Sequence, residues 1–183
     1  MTSLSADRRG STYVEFLVVV IPFVLFVLCV FQTALLEFAD LVVERSANAA
    51  ARSAAVVLDD DPAQYQGEAR NSVTAGGARE QAIRQGAANT LAALHRGDPQ
   101  ADSEQLELTF LAQPGADQAA TSFEPAGLVT VRVTYRFRCI VPLARVLMCR
   151  DGAAEGGDKF ALINGEASLP NQGARYAYAG GGQ

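Results

Sequence analysis

The stretch RRGSTYVEFLVVVIPFVLFVLCVFQ, Arg8–Gln32, decides the fold because it opens a long apolar run in a chain of 183 residues. No charged side chain lies between Glu15 and Glu37, a gap of about 21 residues. A helix rises about 1.5 Å per residue, so this gap spans about 30 Å, the thickness of the hydrocarbon layer of a bilayer. The sequence therefore predicts one transmembrane helix.

Cleaved signals are the alternatives to a retained helix. A secretory signal peptide has an apolar core of only about 7–15 residues with a small-residue cleavage site directly behind it. Here the nearest Ala-x-Ala, Ala47–Ala49, lies well beyond the run, and Leu28 stands where a lipoprotein signal before Cys29 needs a small residue. Arg8 and Arg9 would suit a twin-arginine signal, but the apolar run of such signals is usually less hydrophobic than this one. These features favour a retained helix.

The charges on the two sides of the run predict its orientation. Arg8 and Arg9 precede the run, whereas Glu37, Asp40 and Glu44 follow it. By the positive-inside rule, residues 1–10 lie in the cytoplasm and the chain after about Leu36 lies outside. The sequence therefore predicts a single-pass protein with an exported C-terminal domain.

Two residues of the run are unusual in a plain anchor. Glu15 stands at its entrance, and a carboxylate in a bilayer is costly, about 2.5–3.5 kcal/mol at the centre, which makes it a functional candidate. The alternative is that Glu15 lies at the interface, where the cost is small. Pro22 removes a backbone donor inside the helix and predicts a kink there. The alternative is a proline that the membrane helix simply tolerates.

The residues from Gly10 to Phe16 read G-x-x-x-x-E-F before the apolar run and its early proline. This pattern resembles the class III signal of type IV pilins and pseudopilins, and more specifically the TadE-like minor pilins of the Tad (type IVc, Flp-type) branch. The Ala-rich stretch ERSANAAARSAA, Glu44–Ala55, resembles the continuation of the helix in that family. The resemblance covers roughly the first 55 residues. Beyond them it is loose.

The resemblance implies cleavage between Gly10 and Ser11 by a membrane prepilin peptidase on the cytoplasmic side. Residues 1–10 would then be a leader, residues 11–58 a transmembrane and stalk helix, and residues 59–183 an extracytoplasmic head. Cleavage would expose an ammonium group on Ser11. The motif residues Glu15 and Phe16 would act in processing and assembly, with the Glu15 carboxylate attracting the N-terminus of a neighbouring subunit.

The Ala-rich pattern predicts that the first helix continues to about Leu58, where DDDP, Asp59–Pro62, ends it as a solvated helix end rather than a calcium site. A small Ala-rich face on this part could pack closely against another helix. Residues 62–77 read as a loop. A second helix is predicted over Ala78–Arg96, with an apolar stripe at Ile83, Ala87, Leu91 and Leu94. It is closed by RGDP, Arg96–Pro99.

Apolar and polar residues alternate strictly from Val129 to Cys139, which predicts an antiparallel strand with one buried face. The arginines on the other face are predicted to be solvated and to pair with acidic residues of neighbouring strands, such as Glu107. A shorter strand is predicted at residues 106–110, and a third at residues 160–163 or 166–169. The fold class is therefore α+β, a long helix packed on a small antiparallel sheet with a second helix, as in pilins.

The chain has three cysteines, of which Cys29 belongs to the predicted membrane helix. Cys139 and Cys149 fall in the exported part, where disulfides persist. A bridge between them is favoured over two free thiols, and closing this loop would stabilise the fold by roughly 2–3 kcal/mol.

The sequence carries no nucleophile–base pair, metal-ligand spacing or phosphate loop, so we expect no enzyme, no cofactor and no metal site. A net charge of -5 gives no reason to expect nucleic acid as a partner. The expected function is that of a minor pilin or pseudopilin in the bacterial inner membrane, entering an extracellular pilus that adheres or secretes. The expected partners are other pilin subunits, the prepilin peptidase, the inner-membrane assembly platform and the lipid bilayer. The alternative is an uncleaved single-pass anchor that carries a scaffold or sensor domain.

Overall fold

The structure, a computed structural model, describes residues 9–94, 105–151 and 159–173. Its helices are α1 (Arg9–Val57), a short 3-10 helix (Pro62–Tyr65), α2 (Ala78–Leu91) and α3 (Ala144–Met148), and its strands are β1 (Leu106–Leu111), β2 (Leu128–Arg138), β3 (Arg150–Asp151) and β4 (Lys159–Pro170). A long N-terminal helix, a second helix and a small antiparallel sheet confirm the predicted α+β class.

These elements belong to two compact units. The first contains α1 up to Leu36 and the chain from Arg138 to Ala161. The second contains Glu37–Phe137 and the chain from Leu162 onward. The second unit holds most of the buried apolar side chains, because the C-terminal part of α1, α2 and the longer strands lie in it.

Helix α1 is 49 residues long and continues without interruption on both sides of Pro22. Its end at Val57 agrees with the prediction that Asp59–Pro62 stops it. The next turn differs from the loop expected there, because Pro62–Tyr65 forms a 3-10 helix. Asp61 caps that helix by accepting a hydrogen bond from Ala63 N at 3.0 Å.

The prediction of a solvated acidic helix end is wrong for Asp59 and Asp60, which are only 3% and 6% exposed. Asn71 Nδ2 donates to Asp59 Oδ1 at 3.2 Å. Tyr65 Oη donates to Asp60 Oδ2 at 3.1 Å, and Asp61 N donates to Asp60 Oδ1 at 2.8 Å. Because burying a carboxylate is costly unless it accepts hydrogen bonds, these partners offset the burial of Asp60 and part of that of Asp59, whose Oδ2 has no hydrogen-bond partner in the described part of the chain.

A buried arginine of α2 completes the C-terminal end of α1. Arg79 is 0% exposed and donates to the carbonyl oxygens of Val57, Asp60 and Glu68, the last two at 3.0 and 3.3 Å. Its guanidinium lies 4.6 Å from the centre of the Tyr65 ring. Burial lowers the pKa of Arg79, and Tyr65, Glu68 and Asp60 oppose that shift. The last carbonyls of a helix lack partners within it, so a cation here satisfies them and suits the helix dipole.

Helix α2 packs on the C-terminal part of α1. The predicted stripe is correct at Ile83, Ala87 and Leu91, which are buried, and Ser46 Oγ of α1 donates to Ala87 O at 3.0 Å. The Glu68 carboxylate accepts a hydrogen bond from Ala78 N at 2.8 Å and so caps the start of α2. The described helix ends at Leu91. The predicted closing residues 96–99 lie outside the described part of the chain.

The strands form one sheet in the order β1-β2-β4-β3. β1 pairs antiparallel with β2, and β3 pairs antiparallel with β4. The two segments predicted as alternatives for a third strand both belong to β4. The alternation in β2 is confirmed on its apolar face, where Val129, Val131, Val133 and Tyr135 are buried. On the opposite face Thr130 is also buried, and its hydroxyl lies 2.9 Å from the Ser168 hydroxyl of β4.

Candidate assembly segment

The first half of α1 presents its apolar side chains on its surface. Phe16, Val18, Phe23 and Phe26 are between 62% and 67% exposed, and their neighbours are similar. The helix is long and apolar enough to cross a membrane, and the most apolar window of it has no buried residue. Apolar surface of this extent is not stable in water, so it requires lipid or the helices of other proteins.

Glu15 lies in this exposed segment, one residue before Phe16, and its side chain is exposed on the helix surface. Ser11 belongs to the same helix, four residues earlier, and residues four apart lie one turn apart on one face. The backbone of Gly10 and Ser11 is helical. The structure thus places the predicted cleavage position and the predicted assembly carboxylate about one helical turn apart, roughly 6 Å along the axis.

The second half of α1 differs, because the chain itself covers one face of it. The residues of this half without exposed surface are Ala39, Val43, Ser46, Ala47, Ala50, Ala51 and Ala54. Small side chains let neighbouring backbones approach, as where Gly86 of α2 lies against Ser53 and Ala49. The Ala-rich half predicted to pack on another helix therefore contacts α2 of the same chain, at Ser46, Ala49 and Ser53. The exposed face of this half carries Leu41, Arg45, Asn48 and Arg52.

Cys139 and Cys149 form a disulfide that closes residues 140–148, and α3 lies inside the closed loop. We call residues 139–149 the disulfide loop. Val141 N donates to Gln32 Oε1 of α1 at 3.2 Å. The Thr33 hydroxyl, which donates to Cys29 O, lies 4.0 Å from Met148 Sδ. Gln32 is 0% exposed, although it belongs to the helix segment that is otherwise exposed.

Sequence reasoning did not single out Gln32, although its position gives a signal. Gln32 is the amide side chain in an apolar run, four residues before its end at Leu36. An amide in contact with hydrocarbon is costly unless it is paired, so a partner was to be expected. The partner comes from Val141, more than a hundred positions along the chain, which no local pattern indicates.

The arginine face of β2 has other partners than those predicted. Arg132 lies 3.1 Å from Glu166 Oε2 of β4 and 3.3 Å from Asp117 Oδ1. Glu107, the type of partner expected, lies opposite Thr134 in the sheet. Hydrogen bonds that the Arg132 guanidinium donates to the Glu166 and Asp117 carboxylates raise the pKa of Arg132. This group is partly exposed, so the ion pairs contribute little to stability.

The described residues hold no group of three His, Cys, Asp or Glu side chains that could bind a metal ion. The groove lined by Arg45, Asn48, Arg52 and Thr90 is open and shallow, and it brings together no residues with complementary catalytic roles.

Residues 10–52 match the model of the family described as TadE-like protein. This confirms the resemblance seen in the sequence, over the segment from Gly10 through the first part of the Ala-rich stretch. No curated protein and no solved structure matches the chain. The TadE-like segment contains Glu15, Phe16, Pro22 and Gln32, whereas the sheet and the disulfide loop lie outside it.

Proposed function

We propose that this TadE-like chain is a minor pilin of a Tad-type pilus, which a prepilin peptidase cleaves between Gly10 and Ser11. The observation that carries the proposal is the matched segment itself: a G-x-x-x-x-E-F sequence leads into a helix whose most apolar window contains no buried residue. Such a surface serves first in lipid and then against the helices of other subunits. The leader is residues 1–10, the stalk residues 11–58 and the head residues 59–183.

The carboxylate of Glu15 gives the assembly step its specificity. An unpaired carboxylate in a medium of low dielectric constant is strongly disfavoured, whereas a paired one gains from the same low dielectric constant. Removal of the leader creates an ammonium group at Ser11, the complementary charge, at nearly the same depth. A subunit whose Glu15 pairs with the N-terminus of a neighbour is thereby held at one axial position in the filament.

Membrane anchorage and pilus partners follow from the same segment. Before assembly, α1 anchors the subunit in the inner membrane, with the head on the outer side, as the positive-inside bias predicts. The assembly platform then moves it from lipid into the filament. Its partners are other pilin or pseudopilin subunits and the prepilin peptidase. It contributes to adhesion or secretion as a component of the pilus.

Reading the N-terminus tests this proposal against an uncleaved anchor. The full chain is expressed with and without a Tad-type prepilin peptidase and sequenced from its N-terminus. A mature chain that begins at Ser11 only when the peptidase is present supports the pilin. A chain that still begins at Met1 with active peptidase supports the anchor and contradicts the proposal. A Gly10→Leu variant is the control, because a bulky residue before the cleaved bond should block cleavage without changing the apolar run.

A further inference from the structure

The disulfide loop exposes a group of large apolar side chains. Ile140 is 64% exposed, Leu143 58%, Val146 58% and Leu147 65%, and Met148 is 39% exposed. They lie within nine consecutive residues closed by the Cys139–Cys149 bridge. Scattered apolar residues on a surface need no explanation, but a group this dense marks a contact with another protein or with a membrane.

The loop is attached to α1 within the apolar segment of that helix. Val141 N donates to Gln32 Oε1 at 3.2 Å, and Met148 Sδ lies 4.0 Å from the Thr33 hydroxyl. Gln32 precedes Glu37, the first charged residue beyond the run, by five positions, about 7 Å along the helix axis. The backbone of Val141 therefore lies at a depth of α1 where the helix is still apolar. Gln32, Thr33, Val141 and Met148 all belong to the first compact unit.

We propose that the disulfide loop inserts into the outer leaflet of the bilayer as a second membrane contact beside α1. Its exposed apolar side chains contact lipid, and its backbone covers Gln32, so the amide of that residue does not face hydrocarbon. The proposal rests on the membrane insertion of α1 and is independent of leader cleavage.

The backbone and charge of the loop are compatible with this position. Irregular backbone at membrane depth is tolerated where the protein supplies partners, and here Cys139 N donates to Lys159 O at 2.9 Å and Arg145 N donates to Val141 O at 3.0 Å. Arg145 is the charged side chain among residues 140–148. A long arginine side chain extends from an apolar surface to the phosphate groups at the interface, so Arg145 suits a loop in the outer leaflet.

Lipid is favoured over a second protein as the occupant because the apolar surface is continuous. The loop contacts α1 at Gln32 and Thr33, and the exposed apolar side chains of α1 begin directly on the N-terminal side, at Phe31 and Val30. A bilayer that surrounds α1 at this level must also surround whatever projects from it. Docking of a second copy on the loop is the competing outcome of the test.

Fluorescence quenching in vesicles tests the proposal. The chain contains no tryptophan, so each introduced tryptophan is the single probe of its variant. Full-length Leu147→Trp and Ile140→Trp variants are reconstituted in phosphatidylcholine vesicles with bromine atoms at defined depths on the acyl chains. Val24→Trp, in the middle of the apolar run, is the control for insertion of α1. Val56→Trp, partly exposed on α1 and 19 residues beyond Glu37, is the control for the aqueous part.

We expect bromines near the headgroups to quench both loop probes several-fold more than they quench the Val56→Trp probe, with blue-shifted emission. Quenching of the loop probes no stronger than that of Val56→Trp, while Val24→Trp is quenched, overturns the insertion of the loop alone. Absence of quenching at Val24→Trp as well shows that α1 is not inserted, and it overturns the premise too. Protection of the loop probes that grows with the ratio of protein to lipid shows that a second copy covers the loop, and it likewise contradicts the proposal.

Discussion

Gly165 of β4 lies against the backbone of Val43 in α1 so closely that a Cβ atom at position 165 would be 2.8 Å from the Val43 carbonyl oxygen. The same Cβ atom would be 3.0 Å from Glu44 N. Strand and helix therefore meet backbone to backbone at this point in the second compact unit. A glycine inside a strand commonly marks such a close approach.

We predict that Gly165→Ala destabilises the second unit by about 1–3 kcal/mol, because the added methyl group must displace the helix or the strand. The neighbouring exposed residue gives a matched control, and Asn164→Ala should change stability by less than about 0.5 kcal/mol. Thermal unfolding followed by far-UV circular dichroism in detergent compares the two variants. Equal midpoints for the two variants would contradict the close packing of β4 on α1.

A second prediction concerns the arginine at the end of α1. Arg79→Met keeps most of the side-chain volume but removes the hydrogen bonds that Arg79 donates to the carbonyls of Val57, Asp60 and Glu68. A buried acceptor that loses its donor costs about 1–3 kcal/mol. We therefore expect a loss of about 3 kcal/mol or more in the free energy of unfolding. Denaturant unfolding of the full chain in detergent measures it. The control is Arg52→Met on the exposed face of α1, which should unfold like the unsubstituted protein.

The elements that the sequence predicts well are those with a strong local pattern. The charge-free gap between Glu15 and Glu37, the Ala-rich continuation and Pro62 define α1 from start to end, because helix formation and its termination depend on nearby residues. β2 follows from alternation over eleven residues, which fits a strand with one buried face. Within residues 10–52 the short G-x-x-x-x-E-F motif also indicates the matching family, because the motif stands directly before an apolar helix.

What the sequence does not predict depends on residues that are distant in the chain. Three adjacent aspartates have the composition of a solvated turn, and only the positions of Tyr65 and Asn71 show that two of them are buried. The partner of Arg132 depends on the order β1-β2-β4-β3, since Glu166 belongs to β4. Gln32 gains its cover from the disulfide loop, whose Val141 lies more than a hundred positions further along the chain.

The disulfide gives a third prediction. In the unreduced protein an alkylating reagent should modify neither Cys139 nor Cys149, and mass spectrometry of the peptides measures this. Cys29, the free cysteine of the described part of the chain, reports that the reagent is active once detergent and denaturant expose it. A Cys139→Ser, Cys149→Ser double variant should lose roughly 2–3 kcal/mol of stability by the loop-entropy relation. Two alkylated thiols in native material would show that the bridge does not form in the cell.

The last prediction concerns Glu15 and separates processing from assembly. Glu15→Gln keeps the size of the side chain and one acceptor oxygen but removes its charge, so the peptidase should still expose Ser11. Incorporation into pili should fall, because the N-terminal ammonium group of the neighbouring subunit then lies in a medium of low dielectric constant without its counter-charge. Removing one member of a buried ion pair costs about 3–5 kcal/mol, which corresponds to a loss of about a hundred-fold or more in the equilibrium for incorporation.

Two measurements on the same cells check this prediction: the N-terminal sequence of the membrane-bound chain and the amount of the chain in sheared, purified pili. Glu37→Gln is the matched control, because Glu37 is an exposed glutamate of the same helix beyond the apolar run and should leave both measurements unchanged. A Glu15→Gln chain that is cleaved normally and recovered in pili in normal amounts would show that the carboxylate does not set the position of the subunit. A Glu15→Gln chain that is not cleaved would instead assign the residue to recognition by the peptidase, since an uncleaved subunit has no free Ser11 amine with which to pair.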